Sequence, residues 1–182
     1  MTSRTFLILP ALLIALLTSV RVDAQRDHLT PQEVDLVKEA QILDKRIEVF
    51  IKAVDRRLMV LNGTQPANAK QLKKDSELWG ELPTGSHADL LADITGILDE
   101  AITNIDDVSG RDERNPLIPK ALRRLGEAVN NIMTQVAPFR DQAKSEGEVA
   151  SLESLNEEAQ QILEAVKKLP PPEPDKKAKK KN

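Results

Sequence analysis

The feature that most constrains the fold of this chain is an apolar repeat at alternating steps of three and four residues. It runs through residues 91–108, 118–143 and 152–169, and a less regular series covers residues 34–61. Such spacing places apolar side chains on one face of an α-helix and is typical of a bundle seam. The sequence therefore predicts four helices whose apolar seams must close on one another.

The composition favours helices over strands. The chain has no cysteine and no tyrosine, and after residue 24 its aromatic residues are Phe50, Trp79 and Phe139. A core of Leu, Ile, Val and Ala on charged segments suits packed helices better than a β-sandwich, which favours aromatic and β-branched strands. The lack of cysteine excludes disulfides, thiolate metal sites and thiol catalysis.

Local signals predict the ends of the first helical region. Thr30, Pro31 and Glu33 form a capping-box pattern that starts a helix. The apolar series is disturbed near Asp44, which we expect to cap a new start, and Asn62-Gly63 ends the region.

The later helices are marked in the same way. Ser86 with Asp89 predicts the next start, and Gly110 the next stop. The third series keeps its rhythm through Pro138, which predicts one continuous helix with a kink. A last helix is expected from about Gly147 to the prolines that begin at Pro170.

These signals predict an all-α fold, an antiparallel up-and-down four-helix bundle. The last connections are only a few residues long, and short connections make neighbouring helices antiparallel. An apolar cluster at residues 77–83 predicts a short extra helix or lid around Trp79, which we interpret as a packing anchor.

Three regions are expected along the chain. Residues 1–24 are typical of a cleaved signal peptide, with a basic start, an apolar run at 6–17 and cleavage after Ala24. Residues 25–169 form the helical domain, and residues 170–182 a disordered tail rich in Pro and Lys. We therefore expect an exported protein, periplasmic or extracellular, with no transmembrane segment after cleavage.

No motif for catalysis is found. The two histidines, His28 and His87, lie where side chains are usually solvated, and neither has a recognisable partner in the sequence. Zinc-protease, di-iron, phosphate-loop and dinucleotide motifs are absent. We expect no enzyme activity, no cofactor and no metal ion.

One charge feature is an acidic stripe, formed by Asp89, Asp93, Glu100 and Asp107, in a segment without Lys or Arg. Steps of four and seven residues return to nearly the same side of a helix, away from the apolar seam. It is a candidate interaction surface for a cation or a basic partner. The alternative is a solvated face paired with basic residues of neighbouring helices, namely Lys45, Arg46, Lys52, Arg56, Arg57, Lys120, Arg123 and Arg124.

The second charge feature is the tail, whose lysines are Lys176, Lys177, Lys179, Lys180 and Lys181. It is opposite in charge to the acidic body, so candidate partners are anionic lipid surfaces, acidic envelope polymers or its own acidic face. The alternative is a solubilising tail. Nucleic acid is not expected, because the protein is exported and the tail has no aromatic residue to stack on bases.

Residues 29–33 resemble the Leu-Thr-x-x-Gln motif of small periplasmic helical chaperones of the envelope-stress type, with Glu33 in place of the glutamine.

We predict a non-catalytic binding or scaffold module of the envelope or periplasm, whose partner is an unidentified protein or an anionic surface. The alternatives are a chaperone-like holdase and a bundle that binds a ligand or metal through carboxylates. The oligomeric state stays open.

Overall fold

The computed structural model describes residues 27–64 and 75–171, and every regular element in these stretches is helical. The helices are α1 (Pro31–Glu39), α2 (Leu43–Leu61), α3 (His87–Arg111), α4 (Leu117–Arg140) and α5 (Glu146–Lys167), with a short helical segment at residues 75–79. The all-α prediction is confirmed for the described residues. The predicted signal peptide and all five tail lysines lie outside them.

The helix starts follow the local signals. Thr30 and Ser86 make complete capping boxes with Glu33 and Asp89, as predicted, and Ser145 makes a third with Glu148. In each box the hydroxyl accepts a backbone N–H of the first turn while the acid accepts the N–H of the capping residue. These interactions depend only on residues three apart, which is why the sequence predicts the first two.

Of two further predictions along the helices, one is confirmed and one is wrong in detail. Helix α4 continues through Pro138, as predicted. The break before α2 is also present, but Asp44 does not cap it: Ile42 occupies the N-cap position without a side-chain hydrogen bond. Asp44 lies inside the first turn instead, where its carboxylate pairs with Lys120 and Arg124 of α4.

Helices α2, α3, α5 and α4 pack in that cyclic order. Backbone contacts join α2 to α3, α3 to α5, α5 to α4 and α4 to α2, with fewer contacts between α3 and α4. Among the described residues, α2 and α5 make no backbone contact with each other. In this order α3 lies diagonally opposite α4, and α2 lies diagonally opposite α5. The α3 and α4 pair is the closer of these two diagonal pairs. These two helices are consecutive in the chain and are connected by residues 112–116.

Contacts between side chains give the helix directions. Arg46 donates to Asn104 and Arg57 lies beside Asp93, so α2 and α3 are antiparallel. Lys120 pairs with Asp44 near the starts of α4 and α2, and Asn62 donates to Gln135 near their ends, so this pair is parallel.

Helix α5 runs parallel to α3 and antiparallel to α4. Ser151 donates to the carbonyl of Ala88 near the starts of α5 and α3, whereas Arg140 at the end of α4 donates to Asn156.

The seams predicted from the apolar repeat form the core. Each of the four long helices contributes fully buried side chains, among them Ile47, Ile94, Leu125 and Leu155. No helix within the described ranges combines the length and apolarity needed to cross a bilayer.

Candidate functional site

Four charged side chains meet in the interior, where separate parts of the chain converge. They are Glu33 of α1, Arg56 and Arg57 of α2, and Asp93 of α3, and all four are buried. We call this group the buried ionic cluster. Its presence corrects the expectation that the interior would hold only apolar seam residues.

Glu33 enters the cluster because of its place in the first turn of α1. Its Oε2 accepts the backbone N–H of Thr30 at 2.9 Å, which completes the capping box. Its other oxygen, Oε1, faces α2 and accepts from Arg56 Nε at 3.0 Å and from Arg57 Nη1 at 2.6 Å. One carboxylate therefore both caps α1 and binds it to α2.

Arg57 is the central member of the cluster. Besides Glu33, its guanidinium donates to the carbonyls of Ala53 (3.0 Å) and His28 (2.6 Å). Its Nε lies 3.8 Å from Asp93 Oδ2, an ion-pair distance at which no hydrogen bond forms. The planar fork of arginine suits such multiple contacts. Arg57 thereby joins the segment before α1, α2 and α3.

Arg56 extends the cluster to the segment around Trp79. Its Nη2 donates to the carbonyls of Gly80 (3.3 Å) and Glu81. Its guanidinium carbon lies 5.8 Å from the centre of the Trp79 ring, within cation–π range. Burial lowers the pKa of Arg56, and the negative charge of Glu33 opposes that shift. Trp79 itself is buried.

The cluster contains two positive and two negative side chains, which neutralise one another. Arginine does not release its proton in proteins, and each acid lies beside a guanidinium. Removing one partner from such a group leaves an uncompensated buried charge. Chemically, the arrangement holds residues 28–33 and 79–81 against α2 and α3.

The predicted acidic stripe of α3 is divided among different environments. Asp93 is buried in the cluster beside Arg57 of α2, so its expected place on an exposed surface is wrong. Glu100 Oε2 lies 2.8 Å from Nε2 of His28, which belongs to that same segment. Asp89 is used in the cap of Ser86, and Asp107 is exposed.

Each histidine lies near an acid that the sequence did not reveal, although His87 is exposed, as expected. His28 bonds to Glu100, whereas His87 Nδ1 lies 3.7 Å from Glu148 Oε1. The His87 ring also meets Phe139 edge to face, with 5.6 Å between ring centres, at a cleft of about 540 Å³. Hydrogen bonds from the backbone N–H groups of Lys144 and Ser145 hold the pKa of Glu148 below its usual value.

The sequence analysis missed the acidic character of α5. Helices α3 and α5 each carry six acidic residues and a single basic one, which lies in the last turn. The two helices are neighbours and parallel, so some of these acids come close to one another. Glu158 faces Asp99 across their contact, and its pKa is raised by burial and by that neighbouring charge. The signal was the absence of Lys and Arg from residues 146–166.

Within residues 27–64 and 75–171 no group of three or more His, Cys, Asp or Glu side chains could hold a metal ion. Comparisons with protein-family models, with curated proteins and with solved structures find no match to this chain.

Proposed function

We propose that this protein is a non-catalytic binding or scaffold module of the cell envelope or periplasm. The observation that carries the proposal is the use of the buried ionic cluster for contacts within the chain. Catalytic sites place strongly perturbed titratable groups in a cleft, where a substrate reaches them. Here Glu33 and Arg57 instead bind each other and hold helices and loops together, as expected of a rigid scaffold.

We further propose an antiparallel up-and-down four-helix bundle, built from α2 to α5, with residues 75–84 as a lid beside the end of α2. The alternating directions of consecutive helices support the bundle. The contacts of Trp79, Gly80 and Glu81 with Arg56 support the lid.

In this proposal the lysine tail is the attachment element. Export is expected from residues 1–24, and the exported protein would meet anionic lipid headgroups and acidic polymers at the envelope. Each lysine near an anionic surface contributes about 1 kcal/mol of attraction, and the effect is lost as salt rises. Five lysines within residues 176–181 are therefore enough for measurable, salt-sensitive binding.

No observation in the described residues specifically favours either alternative function, the holdase or the bundle that binds a ligand or metal. A holdase needs an exposed apolar strip, but the large apolar side chains exposed in the described residues are Ile42, Leu78 and Val149, which lie on separate elements. A ligand or metal bundle needs free carboxylates inside, and Glu33 and Asp93 are each paired with arginine. Suppression of a client's aggregation would favour the holdase.

Co-sedimentation with lipid vesicles tests the proposal. Protein of residues 25–182 is mixed with vesicles containing 30% anionic lipid, chosen at roughly the charge of anionic membranes, and with purely neutral vesicles. We expect binding only to the anionic vesicles, lost at about 0.5 M NaCl and lost when all five tail lysines are replaced by glutamine. Equal binding of the glutamine variant, or no binding at low salt, would contradict the tail's role.

A further inference from the structure

The outer side of the α3 and α5 pair is a strongly acidic helical surface, and the described basic residue paired with it is Lys167 in the last turn of α5. It carries five acidic residues, which we call the α3/α5 face: Asp99, Asp106, Glu157, Glu158 and Glu164. Asp106 follows Asp99 by seven residues, and Glu164 follows Glu157 by seven, so each pair shares one stripe of its helix. All but Glu158 are exposed.

This face holds more negative charge than the described residues neutralise. Only Glu164 forms an ion pair with another described residue, an exposed contact of 2.6 Å with Lys167. Asp99 and Glu158 lie close enough to repel each other, which disfavours ionisation of Glu158. A cationic group placed between them would relieve that repulsion.

The described chain past α5 ends at residue 171, at the end of the bundle where α3 and α5 also end. Arg123 donates to the carbonyl of Pro170, which fixes the chain just past α5. Since α3 and α5 are parallel, their C-terminal ends lie together there, with Asp106 near the end of α3. The tail therefore starts between α4 and α5, six residues after Glu164 of the face.

The length of the tail fits the length of the face. An extended proline-rich chain advances about 3.1 Å per residue, so Lys176 reaches about 19 Å and Lys181 about 34 Å from Pro170. Glu157 lies about 15 Å back along α5 from its last residue, at 1.5 Å per residue. The lysines can thus turn back and cover the face.

We propose that the lysines of residues 176–181 dock on the α3/α5 face of their own chain. The ammonium groups lie between the carboxylates of the two helices and supply the positive charge that the face lacks. The regulatory consequence rests on the proposed function: lysines held by the face are not available to an anionic surface, so docking lowers the tail's affinity for that surface.

Zero-length carbodiimide crosslinking of residues 25–182 at low salt tests the docking directly. We mix equal amounts of ¹⁴N- and ¹⁵N-labelled protein and identify crosslinked peptides by mass spectrometry. We expect bonds from the tail lysines to Asp99, Asp106 and Glu158 within one chain, and their loss at about 0.5 M NaCl. Crosslinks mainly between chains, or to acids of α1 and α4 as often as to the face, would overturn the docking.

A charge-matched pair of variants tests the competition. One variant neutralises the face through Asp99→Asn, Glu157→Gln, Glu158→Gln and Glu164→Gln. The control neutralises four exposed acids elsewhere through Asp35→Asn, Glu39→Gln, Glu113→Gln and Glu127→Gln. Both change the net charge equally, so a general charge effect cancels.

We expect the face variant to bind anionic vesicles about threefold to tenfold more tightly than the control, because apparent affinity is proportional to the fraction of tail that is free. Equal affinity of the two variants would overturn the competition. If no form binds vesicles, the proposed attachment fails, and the crosslinks still decide the docking.

Discussion

Arg57 donates from Nη1 to Oε1 of Glu33 over 2.6 Å, although both side chains are buried. Removing two charges from water is costly, and that cost is offset only where the partners and their remaining polar atoms are well bonded. Here Glu33 has Thr30, Arg56 and Arg57 as donors, and Arg57 has two backbone carbonyls as further acceptors. The pair therefore fixes how the segment before α1 joins the helices.

Replacing Glu33 by glutamine should lower the free energy of unfolding by about 3 to 5 kcal/mol, because two arginines lose their buried counter-charge. Glutamine keeps one acceptor oxygen for the backbone N–H of Thr30, and its NH2 group then faces the two guanidinium groups, so the loss reports mainly the contacts with arginine. Urea unfolding followed by circular dichroism measures it. Glu39→Gln, an exposed change on the same helix, serves as the control, and equal stabilities of the two variants would rule out this role.

The sequence predicts the helices well because their signals are local. Capping boxes, seam spacing and the passage through Pro138 involve residues a few positions apart, and each is present in the structure. The buried ionic cluster escapes such analysis because Glu33 and Arg57 are 24 residues apart and meet only after α1 folds back on α2. One clue was available: Arg57 stands three residues after Val54 and four before Leu61, a seam position that a search for apolar residues overlooks.

The acidic stripe shows the same limit. Its helical spacing is correct, but spacing cannot reveal that Arg57 lies beside Asp93 and that His28 bonds to Glu100. Pairing with a basic residue of a neighbouring helix was the alternative interpretation, and the Arg57–Asp93 contact agrees with it at that position. Helix α3 packs mainly against α5 and less against α4, the next helix in the chain. This choice depends on which apolar seams fit together, and local sequence patterns do not encode it.

Arg56→Lys should expose the single tryptophan. Lysine has no planar fork, so it cannot donate to Glu33 and to the carbonyls of Gly80 and Glu81 at once. We expect the fluorescence emission of Trp79 to shift to longer wavelength in the folded protein, with a stability loss of about 2 kcal/mol from the broken charged hydrogen bonds. Arg114→Lys, an exposed change, should leave the spectrum unaltered. An unshifted Arg56→Lys spectrum would mean that Arg56 does not hold the segment around Trp79.

Asp44 should contribute stability that depends on pH. The hydrogen bond from Lys120, at 2.7 Å, and the charge of Arg124 hold the pKa of Asp44 below its ordinary value of 3.8, against the opposing effect of burial. A carboxylate with a lowered folded-state pKa stabilises the protein above its unfolded-state pKa, and this contribution is lost as the pH falls through the folded-state value.

We therefore expect Asp44→Asn to cost about 1 to 2 kcal/mol at pH 7 and progressively less below pH 3.8. Urea unfolding across pH 2 to 7 measures the difference from the unmodified protein. Asp35→Asn on α1 is the comparison, since that carboxylate is largely exposed. A difference for Asp44→Asn that stays constant with pH would show that the carboxylate's charge is not the source.

Gly126→Ala tests the closeness of α4 and α5. A Cβ added at Gly126 would lie 2.7 Å from Cγ2 of Val166, a distance that real Cβ atoms do not adopt, so the Val166 side chain or one of the two helices must shift. We expect a loss of about 1 to 3 kcal/mol from overpacking. A Cβ added at Gly110 has no neighbour within 4 Å, so Gly110→Ala should instead stabilise α3 by up to about 1 kcal/mol.

The double variant Gly126→Ala/Val166→Ala removes the clashing methyl groups of Val166. Thermal unfolding should therefore show it to be more stable than the sum of the two single changes predicts. Strict additivity would mean that Gly126 and Val166 do not touch, and that α5 packs on α4 through another face.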